Sequence, residues 1–314
     1  MSLLTAKNSG RKEKFMAKDN LTMSADITVK AREVDFVSSF GADMTAMAEI
    51  FGITQFIEKV NGAELVSKRA TVVLQDGKIG EGEEVPYSQA TVEPVYYEKI
   101  MLEKYSKAVS AEAIIEHGAD VAITMTDEEF RNELAGNVLD RFYAFLQKGE
   151  LKNDYGTFQM AIAMAIGNVK DKFKKMRKKS GEIAVFVNTL DAYSYLGAAE
   201  LTIQTMFGLD YIENFMGAKK MFLSSEIPEG TVIATPMANI KAYYVNPANE
   251  GLARAGLVYT VDGDTPFIGF HANGNYRTVV GESDALMGLT LFAEYLDAIA
   301  VNTITPADSA SLGE

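Results

Sequence analysis

Residues 65–109 read Leu65-Val-Ser-Lys-Arg-Ala-Thr-Val-Val-Leu-Gln-Asp-Gly-Lys-Ile-Gly-Glu-Gly-Glu-Glu-Val-Pro-Tyr-Ser-Gln-Ala-Thr-Val-Glu-Pro-Val-Tyr-Tyr-Glu-Lys-Ile-Met-Leu-Glu-Lys-Tyr-Ser-Lys-Ala-Val109. The first arm, Val66 to Gln75, carries Thr71-Val72-Val73-Leu74. The second, Thr91 to Tyr105, carries Val95, Tyr96, Tyr97, Ile100 and Leu102, β-formers at near-alternating places. Between them Asp76-Gly77 is a turn signal, and Gly80, Gly82 and Pro86 make the tip irregular. The stretch predicts a long two-stranded hairpin with an acidic end. Neither face has enough large apolar residues for a core hairpin, and a two-stranded ribbon is marginal alone. Such a ribbon is expected to lie on something else, here a neighbouring subunit.

Upstream, Phe36, Phe40, Met44, Met47 and Phe51 recur at three- and four-residue steps, one face of a helix that Gly52 stops. Met1 to Lys30 is polar and lightly basic. Lys7, Arg11, Lys12, Lys14 and Lys18 outweigh Glu13 and Asp19, so an arm or a tail without its own core is expected. Downstream, Ser110 caps a short helix through Ile114, Ile115 and Glu116, ended by Gly118. Thr126-Asp127-Glu128-Glu129 reads as a capping box opening a long helix. Its buried stripe is Phe130, Leu134, Val138, Phe142 and Phe145 or Leu146, and Gly149 ends it. Leu151 to Gly156 reads as a polar link.

A second amphipathic helix follows through Phe158, Ile162, Ile166, Val169, Phe173 and Met176, stopped by Gly181. Ile183-Ala184-Val185-Phe186-Val187 is a continuous apolar run, which predicts a strand buried on both faces. Asn188 or Thr189 then caps a helix bearing Tyr193, Tyr195 and Leu196. Met221 to Leu223, Thr231 to Thr235 and Ile240 to Val245 are short strands, making this region a compact α+β unit. Thr265 to Ala272 and Tyr276 to Val280 flank Asn273-Gly274-Asn275, a hairpin turn signal. Leu289 to Phe292 and Leu296 to Ile304 close the chain's β content, before a polar tail from Thr305.

A long hairpin with a Gly80-Glu81-Gly82-x-x-Val85-Pro86 tip, between an N-terminal arm with a short helix and a long acid-capped helix, resembles the major capsid proteins of tailed bacteriophages, which have the HK97-type fold. Phe292 to Asp297 before a final Val/Ile strand resembles their closing segment. By order of elements the likeness runs from Val34 to Ile304. It implies an α+β, HK97-like fold: residues 1–33 an N-terminal arm crossing to a neighbour, 34–61 an N-terminal helix region, and 62–109 the extended hairpin, or E-loop. Residues 110–150 and 265–314 would form a discontinuous peripheral (P) domain with the long helix as its spine, and 151–264 the axial (A) domain around a capsomer's centre. The last strand would rejoin the P domain.

It also implies a non-enzymatic protein that forms hexameric and pentameric capsomers of an icosahedral virion shell, assembled in the host bacterial cytoplasm around double-stranded DNA. Its partners would be further copies of itself, a portal protein, and a separate scaffold protein or none, since only about thirty residues precede the first helix. An encapsulin-like nanocompartment of the same fold and a monomeric α+β enzyme or binding module are the rival readings. Some capsids of this fold cross-link a hairpin Lys to an Asn of another subunit. Lys78 stands at a suitable place, with no partner that can be named.

Composition bounds the chemistry. A formal net charge of −13 opposes contact with nucleic acid or anionic membrane over the surface as a whole. Cys is absent, which removes disulfides, thiolate metal sites and cysteine nucleophiles. No run approaches a membrane span, and the N-terminus lacks the apolar core of a signal peptide. His117 and His271 are the sole histidines, and neither has a Ser or Asp at triad spacing. The glycine-rich tip lacks the Gly-Lys-Ser/Thr spacing of a phosphate loop, and its acids would repel phosphate. No catalytic, cofactor or metal constellation is expected.

Two candidate contact regions remain. At the tip, Asp76, Gly77, Lys78, Gly80, Glu81, Gly82, Glu83, Glu84 and Pro86 are open to three readings: a divalent-cation site, a solvated acidic end, or an inter-subunit contact in which Glu83 and Glu84 meet a neighbour's cations. The third is favoured. The basic run Lys170, Lys172, Lys174, Lys175, Arg177, Lys178 and Lys179 reads as a solvated helix face or as a surface for packaged DNA or an acidic scaffold. Nearly all are lysines, which hold phosphate without reading sequence.

Overall fold

The computed structural model describes residues 24–53, 55–197, 203–206 and 209–305. The basic residues Lys7 to Lys18 of the expected arm and the tail beyond Thr305 lie outside the described residues.

Helix α1 (Ser24–Ile50) buries Phe36, Phe40, Met44 and Met47, the expected stripe. It starts about three turns before that stripe, so the later part of the expected arm is helical. Strand β1 (Phe56–Glu58) follows, then the hairpin strands β2 (Glu64–Val73) and β3 (Gln89–Lys99). The second arm is not one strand to Tyr105, as expected. β3 stops at Lys99, and β4 (Glu103–Ser110) joins another sheet. The cause lies at Ile100, whose side chain is buried with Leu65, Val245 and Phe292 and whose backbone closes the hairpin base by bonding Ala63 and Gly62.

Helix α2 (Ala111–His117) is capped as expected. Ser110 Oγ accepts from the Ala113 amide at 3.2 Å, and Gly118, at φ 84°, terminates it. The capping box at Thr126 is a correction. A π-helical segment, Asp120–Met125, runs without a break into α3 (Thr126–Leu146). Thr126 is already helical (φ −74°, ψ −23°), and its hydroxyl donates backward to the Ala122 and Ile123 carbonyls. The helix thus starts earlier, and Asp127 of the box serves other partners.

The polar link at Leu151 is in fact an edge strand, β5 (Leu151–Tyr155). Then come α4 (Phe158–Lys175), β6 (Ile183–Asn188), α5 (Thr189–Leu196), β7 (Gln204–Met206), β8 (Leu209–Glu213), β9 (Lys220–Ser224), β10 (Thr231–Pro236), β11 (Ile240–Tyr244) and α6 (Glu250–Arg254). The chain closes with β12 (Thr260–Val261), β13 (Ile268–Asn275), β14 (Val280–Met287), β15 (Leu289–Ala293) and β16 (Ala300–Ile304). The expected turn at Asn273-Gly274-Asn275 lies inside β13, paired with Gly281 and its neighbours. The chain reverses at Tyr276 to Val279, three residues on. The long antiparallel register of β14 against both β13 and β4 outweighs the local turn signal.

A seven-stranded sheet in the order β5-β16-β10-β6-β9-β8-β7 is the centre of the molecule. β6 shows why its sequence is apolar throughout. Ala184 and Phe186 face a core shared with α1 and α3, while Ile183, Val185 and Val187 face one shared with α4. On the first face Phe186 stacks on Phe222 at 5.0 Å, and Phe51 lies 4.8 Å from Phe222 and 5.5 Å from Phe142. Asn188 caps α5 through the Leu190 amide at 2.7 Å and donates to the Ile227 carbonyl at 2.6 Å.

The sheets cut across the expected domain boundaries. β16 lies in the seven-stranded sheet. It is inserted between β5 and β10, parallel to the first and antiparallel to the second. β11, placed by expectation in the axial unit, pairs with β15 and β1. Local pattern predicts strands, whereas partner choice is set by residues far apart in sequence.

Where α3 ends, Gly149 lies against the segment entering β16: a Cβ there would stand 2.9 Å from the Ile299 carbonyl oxygen and 2.8 Å from its Cγ2. Gly149→Ala is expected to destabilise the fold by about 1–3 kcal/mol, the usual range for overpacking. A lowered midpoint in thermal unfolding checks it, and an unchanged midpoint would show that the contact relaxes freely.

Candidate assembly interface

Among the described residues, the hairpin is anchored at its base. There Leu65 and Ile100 are buried, the Tyr97 hydroxyl donates to the Glu294 carbonyl at 3.2 Å, and the Tyr97 ring meets Phe292 edge-on at 4.7 Å. The Leu102 amide donates to Asn61 Oδ1 at 2.9 Å, and Lys148 pairs with Glu98 at 3.0 Å. Beyond the base the register runs unbroken from Val66↔Tyr96 to Val73↔Gln89. Apart from Ser67, buried beside the base, this outer part has no buried residue among those described. Val72, Val73, Leu74, Val85 and Val92 are more than half exposed and Tyr87 is 92% exposed. Apolar side chains on a free-standing ribbon, with two unpaired strand edges, are what a protein ordinarily covers.

All nine tip residues singled out by sequence, Asp76 to Pro86, are exposed and share one irregular loop. Asp76 Oδ1 accepts from the Lys78 amide at 3.0 Å, so Asp76-Gly77 bends the chain without reversing it. The reversal is at Gly80 to Glu83, where the Glu83 amide donates to the Gly80 carbonyl at 3.2 Å. Glu83 Oε2 in turn accepts from the Gly80 amide at 2.9 Å. Gly82 takes φ 86° at the third turn position, a conformation that favours glycine. The carboxylates do not converge. Among the described residues no three metal-ligating side chains gather at one point.

A second, buried polar site holds α1 to the body, and sequence reading passed over it. Arg32 grips Asp127 with two bonds, 2.5 and 2.8 Å, and donates to Ser283 Oγ at 2.6 Å. Lys107 of β4 reaches Asp127 at 2.6 Å and Thr126 Oγ1 at 2.6 Å. Burial pushes the Asp127 carboxyl up, but the hydrogen bonds from Arg32 and Lys107 outweigh it and leave the group below the usual carboxylate range. For Lys107 burial wins and lowers its pKa, despite Asp127. At the next residue of α1, buried Glu33 accepts from the Ala272 amide at 2.7 Å and from Thr260 Oγ1, with His271 Nδ1 at 3.4 Å. Nearby, Glu103 accepts from Tyr105 and pairs with Arg141. Burial, reinforced by Glu103, pushes the Tyr105 hydroxyl up to about 12. The groups that meet at Asp127 and at Glu33 come from separate elements of the chain, so no motif announced them.

The basic run is split. Lys170, Lys172, Lys174 and Lys175 lie on α4, which ends at Lys175 rather than near Gly181. Arg177 takes φ 55°, and Lys178 and Lys179 follow in the loop. Lys172 pairs with buried Asp297 at 3.1 Å, Lys175 pairs with Asp171 at 2.6 Å, and Lys178 donates to the Tyr295 hydroxyl and lies 4.1 Å from its ring. Lys170 and Lys174, on α4, and Arg177 and Lys179, in the loop after it, are left exposed. Among the described residues no helix is long and apolar enough to cross a membrane.

No family model and no curated protein matches the sequence. Solved structures do match by shape. A structure from Gordonia phage Cozz superposes with a TM-score of 0.54 at 10% identity, covering 83% of this chain and 86% of that one. The capsid of a native GTA particle gives 0.54 at 8% identity, covering 82% and 90%. The holo-SrpI encapsulin complex from Synechococcus elongatus gives 0.45 at 12% identity, covering 82% and 88%. The architecture is the HK97-type capsid fold, with mixed helices and sheets ordered as the sequence led one to expect.

Proposed function

We propose that this chain is a major capsid protein, which self-assembles through hexameric and pentameric capsomers into an icosahedral head shell enclosing phage double-stranded DNA. One observation carries the reading: on an HK97-type fold, the hairpin beyond Lys68 leaves its apolar side chains and both strand edges bare. In this reading a neighbouring subunit covers them, and Glu83 and Glu84 meet that neighbour's cations. The α3 helix is the spine of a peripheral unit. The seven-stranded sheet with α4 and α5 is the axial unit, so the boundary follows the sheets and Ala300–Ile304 belongs to the axial side. The protein works without catalysis, in the virion, after assembly in the bacterial cytoplasm with a portal protein and, where one is encoded, a scaffold.

Electron microscopy and light scattering on the purified chain test this. Closed shells, tubes or five- and six-fold rings are expected. A compact monomer that persists with candidate scaffold would overturn it. Shells purified from cells should hold DNA, and shells holding a protein cargo instead would replace the phage reading with an encapsulin-like one.

The exposed residues Lys170, Lys174, Arg177 and Lys179 are proposed to touch packaged DNA through phosphate alone. Changing all four to Gln should leave the fold intact and lower the log–log salt slope of non-specific DNA binding by roughly three to four. An unchanged slope would make these four solvated side chains.

A further inference from the structure

A cavity of about 610 Å³ opens where the end of α1 meets the start of β13. Three rings line it. Phe56 and Tyr244 lie 4.3 and 5.3 Å from Phe267, centroid to centroid. Glu49 and Asp264 stand exposed beside them, and no ion pair joins either to another described side chain. No described lysine or arginine lines the cavity. Burial, and Glu58 beside it, push the Tyr244 hydroxyl up, as a negative and partly apolar hollow should. Rings next to unpaired carboxylates suit a guanidinium, which both attract.

The complementary chemistry stands at the other end of β13, on the turn Tyr276 to Val279. Tyr276 is 96% exposed, and Arg277 is exposed with no ion pair to another described side chain. Val279 takes φ 54°, a left-handed conformation that β-branched residues avoid, and its side chain is more than half exposed. Its own chain returns little for that strain. We infer that the Tyr276–Val279 turn of one copy enters the α1–β13 cavity of another, with Arg277 between Glu49 and Asp264. The inference rests on the self-assembly proposed above. A copy cannot fill its own cavity, because the eight residues of β13 separate Phe267 from Tyr276, about 30 Å of extended chain. Helix α1 runs alongside, with Glu33 at Ala272 and Gly41 against Thr265, and holds the two ends apart. Turn and cavity are different surfaces, so the contact is head-to-tail and repeats into a ring or an open array.

The chain lacks Cys, so introduced thiols report the contact without background. Full-length chains carrying Thr278→Cys are mixed with full-length chains carrying Thr45→Cys, which lines the cavity, and the mixture is treated with a short bismaleimide. Peptides joining position 278 to position 45 are expected. Arg277→Glu in the first chain should cut their yield about tenfold, since it sets like charges together. Adding Glu49→Lys and Asp264→Lys to the second chain should restore it. A yield indifferent to Arg277→Glu would overturn the assigned pairing. Peptides joining 278 to 278 or 45 to 45 instead would show turn meeting turn or cavity meeting cavity, and overturn the inference. Assembled particles without the 45-to-278 peptide would overturn it and leave self-assembly standing. Light scattering that shows monomers alone would overturn both.

Discussion

A chain lacking Asp76 to Pro86 is expected to remain a soluble, folded subunit and to form no stable shells. No deleted residue is buried, and the tip's hydrogen bonds are internal to it except that Gln75 N donates to Ser88 Oγ, both of which are retained. The deletion leaves Leu74, Gln75, Tyr87 and Ser88 between the paired residues Val73 and Gln89, a loop length that hairpins accept. Stability of the isolated subunit should change by no more than about 0.5 kcal/mol, as for other exposed sites. Assembly is a different matter, because the tip's charge and apolar flank would be satisfied only on a neighbour. Electron microscopy, with circular dichroism on the same sample, gives the answer. Wild-type-like shells from the deleted chain would sink the proposed role of the hairpin.

Asp127→Ala should be the most damaging change of a polar residue. Asp127 is 8% exposed and is the shared partner of Arg32 and Lys107. Removing it leaves two partly buried cations facing each other. Breaking a buried pair from one side costs about 3–5 kcal/mol, and the lower end applies because Arg32 keeps some water. In a chain of this size about 3 kcal/mol lowers the thermal midpoint by roughly 6 °C. The same group sets an acid limit. Its folded pKa lies below its unfolded one, so its contribution is complete above about pH 4 and is lost as pH falls through the depressed folded value. Asp127→Asn should therefore be less stable than wild type at neutral pH, and the gap should narrow toward pH 2. A gap independent of pH would mean that shape rather than charge holds the site.

Much of this architecture is legible in the sequence because local chemistry and tertiary role coincide. Ile183 to Val187 is apolar at every place and lies between two cores. Asn188 caps the helix it precedes, and the α4 stripe is buried where its period places it. The misreadings share a cause. Thr126 looks like a cap, but the π-helical turn before it shifts the start of the helix and frees Asp127 for Arg32. Lys152, Asn153 and Asp154 are as polar as a linker because β5 is an exposed edge strand, recognisable only by its pairing with residues about 150 positions later. The basic run looked uniform, yet Asp297 and Tyr295, more than a hundred residues away, occupy part of it. At the hairpin tip the residue types were readable and the place of reversal was not, since Asp-Gly and Gly-Glu-Gly are both competent turns.

The insertion of β16 between β5 and β10 also has a consequence for synthesis. A nascent chain that has emerged only as far as Ala293 holds both flanking strands but not the one that joins them. The central sheet cannot close until Ile304 has left the ribosome, so an unfinished chain presents an open strand edge on β10 and an unfinished floor beneath α4. An open edge is a template for pairing with other chains, so the unfinished chain is expected to need chaperones to keep it from its siblings.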